Sequence, residues 1–175
     1  MSCSLPAQED EVGTYVEKPA IAFFIRNRLV EGHEEWETGT VWNDILHLYF
    51  TADAGYSTGP EMSLGGERAG LSTIHIIFDT EASEKKFLIV EYRAPGLENQ
   101  DTIWMEAVRQ LQQYLAGITS HQHRKYGVVA IGKTVRFFEW VDDKLIDFQN
   151  DGTVYHIDLQ CKTVTARLEY FRDHH

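Results

Sequence analysis

Apolar residues recur every three or four positions in several stretches of the chain, which is the spacing of one face of an α-helix. The first stretch predicts a helix over residues 19–31. The second predicts a helix over residues 39–51 with Thr40 as its N-cap. Two more helices are predicted over residues 101–116 and 163–172.

Runs of β-branched and aromatic residues predict the strands. Residues 72–79 (STIHIIFD) and 87–93 (FLIVEYR) flank a charged turn at residues 80–86, and so predict a β-hairpin. The remaining predicted strands are residues 125–131 and 134–141, which form a second hairpin, and short stretches at 61–64 and 154–159. The order of helices and hairpins favours the α/β class, with a mixed central β-sheet flanked by helices.

The chain is predicted to form one domain preceded by an arm. Residues 1–17 are acidic and contain few apolar side chains, so we expect a flexible N-terminal arm. Residues 18–175 are numerous enough to enclose one hydrophobic core and are predicted to form a single α/β domain. Within it, residues 51–70 carry five of the thirteen glycines and predict a loop-rich passage.

Charge and cysteine content restrict the classes of partner. The 27 acidic and 16 basic residues give a net charge of −11, which disfavours binding to nucleic acid. The only concentrated basic cluster is HQHRK at residues 121–125. Cys3 and Cys161 have the spacing of neither a disulfide framework nor a zinc site, and no apolar run is long enough for a membrane span. We expect an intracellular protein, cytoplasmic or nuclear, without membrane contact.

The most informative motif follows the apolar run of the first predicted hairpin. It is the triplet Glu91-Tyr92-Arg93, and the next predicted helix carries Gln110 and Tyr114. This arrangement resembles the PD-(D/E)XK, or restriction-endonuclease-like, nuclease superfamily. In that superfamily a hairpin supplies an acidic residue and an acid-x-lysine triplet, and the following helix often adds a Gln-x-x-x-Tyr pair. Residues 125–140 also resemble the central strands of fungal members, and the resemblance covers residues 40–141.

Two departures from this pattern predict a degenerate active site. Arg93 stands in place of the lysine, and a guanidinium remains protonated and cannot act as a general base. The family's metal-binding aspartate is expected near residues 70–73, none of which is acidic. Asp79 would lie at the far end of the hairpin from Glu91, roughly 13 Å away at the rise of a strand. A magnesium site would therefore need Glu91 together with a loop carboxylate, Glu61 or Glu67.

Strand pairing and helical spacing suggest further members of the site. With the turn at residues 80–86, His75 is expected opposite Glu91, where a carboxylate would favour the protonated imidazole. On the following helix, Glu106, Gln110 and Gln113 share one face and Tyr114 lies beside Gln110. This polar face is predicted to look into a cleft containing Glu91 and Arg93, although it also suits the solvent side of an amphipathic helix.

Three hypotheses for the function follow. In the first, a degenerate nuclease-like domain without nuclease activity uses the cleft to bind a protein or a small molecule, or a nucleic acid, which the acidic charge disfavours; it has no metal or other cofactor. In the second, a non-nuclease enzyme acts on a small molecule by acid–base chemistry of His75, Glu91, Arg93 and Tyr114, with Gln110, Gln113, Glu106 and Glu61 as binding residues. In the third, the chain is a Mg²⁺-dependent nuclease. The sequence favours the first.

Overall fold

The computed structural model describes residues 5–62, 68–78, 81–118 and 124–175. Within these ranges the helices are α1 (Pro19–Asn27), α2 (Glu35–Tyr49), α3 (Asp101–Gly117) and α4 (Cys161–Asp173). The strands are β1 (Tyr56–Met62), β2 (Arg68–Phe78), β3 (Ala82–Arg93), β4 (Lys125–Ile131), β5 (Thr134–Val141), β6 (Lys144–Asp147) and β7 (Tyr155–His156). The helices in these ranges are too short or too polar to cross a membrane.

The strands form one mixed sheet. Its order is β1-β2-β3-β4-β5-β6, and β7 pairs with β5. Strands β3 and β4 are parallel, whereas the other pairs are antiparallel. A parallel pair needs a crossover connection, and α3 supplies it. The predicted α/β class with a mixed central sheet and flanking helices is confirmed.

The two faces of the sheet pack against different helices. On one face, Leu88, Val90 and Tyr92 of β3 join the core that α1, α2 and α4 complete. On the other face, Ile89 packs against α3. Because side chains alternate along a strand, Glu91 and Arg93 point to the α3 face. This alternation decides which helix completes the candidate site.

Helix α2 begins at Glu35, four residues before its predicted start. Its first turns bury Glu37, Thr38 and Gly39, so hydrophobic spacing does not reveal them. Burial of Glu37 is possible because the Arg28 guanidinium donates to its carboxylate, with Nε 3.0 Å from Oε1. Thr40 lies inside the helix, and the prediction that it is the N-cap is wrong.

The first hairpin has a shorter turn than the sequence predicts. Phe78 pairs with Ala82, and the charged residues 82–86 belong to β3 instead of a turn. They extend the strand because their side chains are exposed or only half-buried at this end of the sheet, where charge is tolerated. His75 consequently pairs with Lys85, and Leu71 pairs with Val90. The predicted pairing of His75 with Glu91 is wrong, and Asp79 lies outside the described residues.

Several smaller elements also differ from the predictions. The passage at residues 51–70 contains the strand β1, which is longer than the predicted 61–64. Strand β6 was not predicted, and it follows a two-residue turn in which Asp142 and Asp143 have φ of 48° and 60°. Aspartate tolerates this left-handed backbone better than most residues, so the turn lacks the glycine that marks many hairpins.

Within the segment that is expected to be a flexible arm, residues 8–17 make contacts with the rest of the domain. Tyr15 is fully buried in the core of α1, α2 and α4, and its hydroxyl donates to the carbonyl of Ile157. Glu9 accepts hydrogen bonds from the backbone and the hydroxyl of Thr163 at the start of α4, at 2.8 and 2.6 Å. A few anchoring side chains hold a segment whose average composition is that of a flexible one.

Candidate functional site

A closed cluster of polar side chains occupies the junction of β3 and α3. Glu91 is 1% exposed, and the Arg93 guanidinium donates to its Oε1 from Nη1. The other terminal nitrogen of Arg93, Nη2, donates to Oε1 of Gln110 at 2.7 Å. Nη1 also donates to the carbonyl of Tyr92 at 2.7 Å. We refer to Glu91, Arg93 and Gln110 as the Glu91 cluster.

The neighbouring strand β2 supplies no carboxylate beside Glu91. Since Leu71 pairs with Val90, Gly70 is the β2 residue beside Glu91. A Cβ atom at Gly70 would lie 2.1 Å from the carbonyl oxygen of Val90, and its φ is +155°. The backbones approach so closely that a side chain of any kind requires the strands to move. An aspartate at position 70 would therefore not fit between the strands of this hairpin.

The electrostatics of the Glu91 cluster combine one cation with several carboxylates. Burial raises the pKa of Glu91 to about 7, the Arg93 guanidinium opposes this rise, and the charges of Glu35 and Glu106 add to it. Desolvation likewise raises the pKa of Glu35 against the lowering effect of Arg93. The Oε2 atom of Glu91 has no hydrogen-bond partner among the described residues. The carboxyl of Glu91 therefore exchanges its proton near neutral pH.

Arg93 supplies the positive charge of the Glu91 cluster. A guanidinium supplies fixed positive charge and donors but cannot accept a proton. In the part of the chain that the structure describes, no group of three or more His, Cys, Asp or Glu side chains could hold a metal ion. The cluster thus neutralises Glu91 from within the protein.

The structure distributes the other predicted site residues over several places. Tyr114 is partly buried against the core beneath α3. Glu106 and Gln113 are exposed on α3, with Glu106 near enough to act on the pKa of Glu91. The backbone of Glu61 pairs with Gly70 at the edge of the sheet, and its side chain lies outside the described part.

His75 belongs to a separate cluster of rings at the end of α4. Its Nδ1 lies 2.8 Å from Nε2 of His175, and its ring stacks on Tyr56 with centroids 4.4 Å apart. His175 stacks in turn on Phe87, with centroids 3.9 Å apart. His75 pairs with Lys85, six residues from Glu91 along β3 and therefore roughly 20 Å from it at strand rise. The prediction that His75 shares a cleft with Glu91 is wrong.

The basic cluster at residues 121–125 does not present its lysine to solvent. Lys125 is 4% exposed, and its Nζ donates to the carbonyls of Leu115 and Ile118 at the end of α3, at 3.3 and 3.0 Å. Such a contact satisfies carbonyl groups that a helix end leaves unpaired. Nε of Arg124 lies 4.0 Å from Oε1 of Glu139. Residues 121–123 are outside the described ranges. Lys125 caps a helix and adds nothing to a phosphate-binding surface.

Sequence analysis missed a cavity on the opposite face of the sheet. Its volume is about 390 Å³, and it is lined by Trp36, Gly39, Thr40, Asn43, Pro60, Leu71 and Tyr92. Trp36, at the edge of the cavity, is 52% exposed. The spacing of Trp36, Thr40 and Asn43 places them on one helical face, a signal that emerges only once the true start of α2 is known.

Comparisons of the chain with protein-family models, with curated proteins and with solved structures found no match. Interpretation of the function therefore depends on the residues and their geometry.

Proposed function

We propose that the chain is a restriction-endonuclease-like domain that has lost phosphodiester cleavage and functions as a binding module. One observation carries the proposal: the Arg93 guanidinium is bound at once to Glu91 and Gln110. Those three positions match the superfamily residues that would contribute to catalysis. Here they bind each other.

Metal-dependent hydrolysis needs free carboxylate oxygens for the cation and a group that activates water. Glu91 has one oxygen paired with Arg93, and the carboxylate is 1% exposed. Gly70 leaves no room for a partner carboxylate from β2. A metal ion bound at the other oxygen would be buried beside the Arg93 guanidinium, whose positive charge would repel it.

Surface charge argues against a nucleic-acid partner for this module. The net charge is −11, Lys125 is buried, and Arg124 contacts Glu139. A polyanion would meet net electrostatic repulsion from a chain of this charge. A protein or a small uncharged molecule is the better class of partner.

A second candidate, an acid–base enzyme acting on a small molecule, is favoured by the pKa of Glu91. A carboxyl with a pKa of about 7 is suited to proton transfer at neutral pH. We rank it below the binding module because Glu91 is enclosed and His75 lies in a different part of the fold.

The test is a cleavage assay with purified protein on single- and double-stranded DNA and RNA, with Mg²⁺ or Mn²⁺. We expect no more cleavage from the wild-type chain than from Glu91→Gln, with circular dichroism confirming that both are folded. Cleavage that the metal switches on and Glu91→Gln abolishes would contradict the proposal and support the Mg²⁺-dependent nuclease.

A further inference from the structure

The cavity beside α2 has the dimensions of a small-molecule site. Its volume of about 390 Å³ lies near the lower end of the range for ligand pockets, about 300–1,000 Å³. Trp36, Thr40 and Asn43 of α2 form one side and Pro60 of β1 contributes to another, with Leu71 and Tyr92 from the central strands. An opening of this size accommodates one or two fused rings.

The packing of α2 on the sheet determines the shape of the cavity. A Cβ atom at Gly39 would lie 2.6 Å from Cζ of Tyr92, so only glycine permits this approach of helix and ring. A glycine inside a helix costs about 1 kcal/mol relative to alanine. Gly39 is buried in α2 despite that cost, and the Tyr92 ring, 9% exposed, is held against the helix as part of the cavity lining.

Trp36 presents a ring at the edge of the cavity. It is 52% exposed, and the guanidinium carbon of Arg28 lies 6.0 Å from the centroid of its ring. Arg28 is itself held by the buried carboxylate of Glu37. This chain of contacts restrains the indole while leaving about half of the residue surface open to a ligand.

Two polar side chains of the lining are available for hydrogen bonding. The Thr40 hydroxyl and the Asn43 side-chain amide form no hydrogen bond with other described residues, whereas Glu37 on the same helix is engaged by Arg28. The amide offers both a donor and an acceptor, and the hydroxyl offers the same. Their spacing of three residues places both on the face of α2 that carries Trp36.

The composition of the lining defines the class of ligand. The described lining residues include no Asp, Glu, Lys, Arg or His. Burying a charged ligand group without a countercharge is costly, so an uncharged ligand is favoured. An aromatic ring would gain from stacking on the indole, and a donor–acceptor edge would match Asn43 and Thr40.

We infer that this cavity binds an uncharged, planar aromatic molecule carrying a hydrogen-bond donor and acceptor on one edge, through stacking on Trp36 and hydrogen bonds to Asn43 and Thr40. The inference rests on the proposed binding function and supplies its ligand class. It places the binding site on the α2 face of the sheet, opposite the Glu91 cluster.

The experiment uses benzamide as the probe and follows backbone and indole N–H signals of the ¹⁵N-labelled protein. We expect saturable shifts confined to the cavity, including Gly39, Leu71 and the indole of Trp36. Cyclohexanecarboxamide has the same amide edge without a planar ring, and benzoate has the ring with a charge. Both are expected to bind at least about fivefold more weakly than benzamide, because each lacks one of the two favoured features.

Variants assign the contacts. Trp36→Ala and Asn43→Ala should each weaken benzamide binding about three- to tenfold, the range of one stacking or hydrogen-bond interaction. Met105→Ala, an exposed position on α3 across the sheet, is the matched control and should leave binding unchanged. All three sites are at least partly exposed, so the variants are expected to fold, and their spectra report whether they do.

Other results would overturn the inference. These are the absence of saturable shifts at the cavity, equal binding of the three probes, or benzamide binding that Trp36→Ala and Asn43→Ala leave intact. The cleavage assay separates this failure from that of the proposed function. If the protein neither cleaves nucleic acid nor binds benzamide, only the proposed ligand class is contradicted. If it is a metal-dependent nuclease and also binds benzamide, only the proposed function is contradicted.

Discussion

At the scale of single residues, the buried pair of Glu91 and Arg93 dominates the chemistry of the α3 face. Both charges are largely removed from water, which costs free energy that their mutual attraction and the bond to Gln110 offset. Such a pair is sensitive to the loss of one partner, because the other charge remains buried alone. Two substitutions therefore test this arrangement.

Arg93→Met should destabilise the protein by about 3 kcal/mol at pH 8, because the buried Glu91 must then either stay charged without its partner or take up a proton far above its ordinary pKa. Arg93 lowers the pKa of Glu91, so its removal raises that pKa further and lets the carboxyl become neutral in acid. The loss should therefore shrink at pH 5. Urea denaturation at both pH values measures the loss in the free energy of unfolding. Gln110→Ala removes only one hydrogen bond to Arg93 and is the milder control, with an expected loss of about 1 kcal/mol. An equal loss at both pH values would show that Glu91 does not respond to Arg93.

Glu91→Gln should change how stability depends on pH. Burial raises the pKa of Glu91 in the folded protein to about 7, above the ordinary glutamate value of 4.5. Its contribution is therefore fully present below pH 4.5 and is lost as pH rises through about 7, by an amount on the order of 1–3 kcal/mol. Denaturation from pH 4.5 to 8 should show that Glu91→Gln gains stability relative to wild type across this interval. Glu106→Gln, at an exposed position on α3, should show a much smaller gain.

The sequence could predict the members of the Glu91 cluster but not all of its neighbours. Glu91, Arg93 and Gln110 follow from a two-residue step along a strand and a resemblance in spacing on the next helix. The charge of Glu35, at the start of α2, also acts on the pKa of Glu91, and its sequence context, an acidic first turn, is common to many helices. Long-range proximity of this kind is decided by packing.

At the scale of elements, the register of the β2–β3 hairpin decides which residues meet. The charged residues 82–86 read as a turn because strands usually carry fewer charges, yet here they pair at an exposed end of the sheet. Because the turn is predicted in the wrong place, the sequence pairs His75 with Glu91, whereas the structure pairs it with Lys85. An error in register changes the cross-strand neighbour of every residue in the strand. A site predicted across a hairpin is therefore correct only if the turn is placed correctly.

The ring cluster of His75 and His175 should make the end of α4 sensitive to acid. Burial lowers the pKa of both histidines below the ordinary histidine value of 6.5, and the charge of Lys85 acts in the same direction. For groups with a lowered folded pKa, stability is complete above about pH 6.5 and declines as pH falls through the lowered value. Amide exchange near Phe171 should accelerate, relative to global unfolding, between pH 7 and 5. His175→Gln should reduce this change, and His47→Gln, an exposed position on α2, should not.

At the scale of the whole molecule, hydrophobic periodicity was sufficient to predict the α/β class and the mixed sheet. It was insufficient for segments held by a few contacts, such as residues 8–17, which Tyr15 anchors in the core. The restriction-endonuclease-like assignment remains a prediction based on residue spacing. Periodicity reports an average over many residues, whereas anchors and tight turns depend on individual ones.

The whole fold separates two surfaces with different chemistry. The α3 face carries the internally neutralised Glu91 cluster, and the α2 face carries an uncharged cavity. The central sheet lies between them, so substitutions that leave β3 in place, such as Gln110→Ala on one face and Trp36→Ala on the other, should each leave the opposite face intact. The binding-module account therefore predicts that loss of the Glu91 cluster and loss of ligand binding are independent.

The most direct test of the central claim is Mn²⁺ titration of the ¹⁵N-labelled protein, with paramagnetic line broadening as the measurement. If Arg93 already neutralises Glu91, broadening should be weak, scattered over the acidic surface and unchanged by Glu91→Gln. Saturable broadening centred on residues 90–93 and Gln110, lost in Glu91→Gln and retained in Glu106→Gln, would contradict the account. It would show that the Glu91 cluster opens to hold a metal ion.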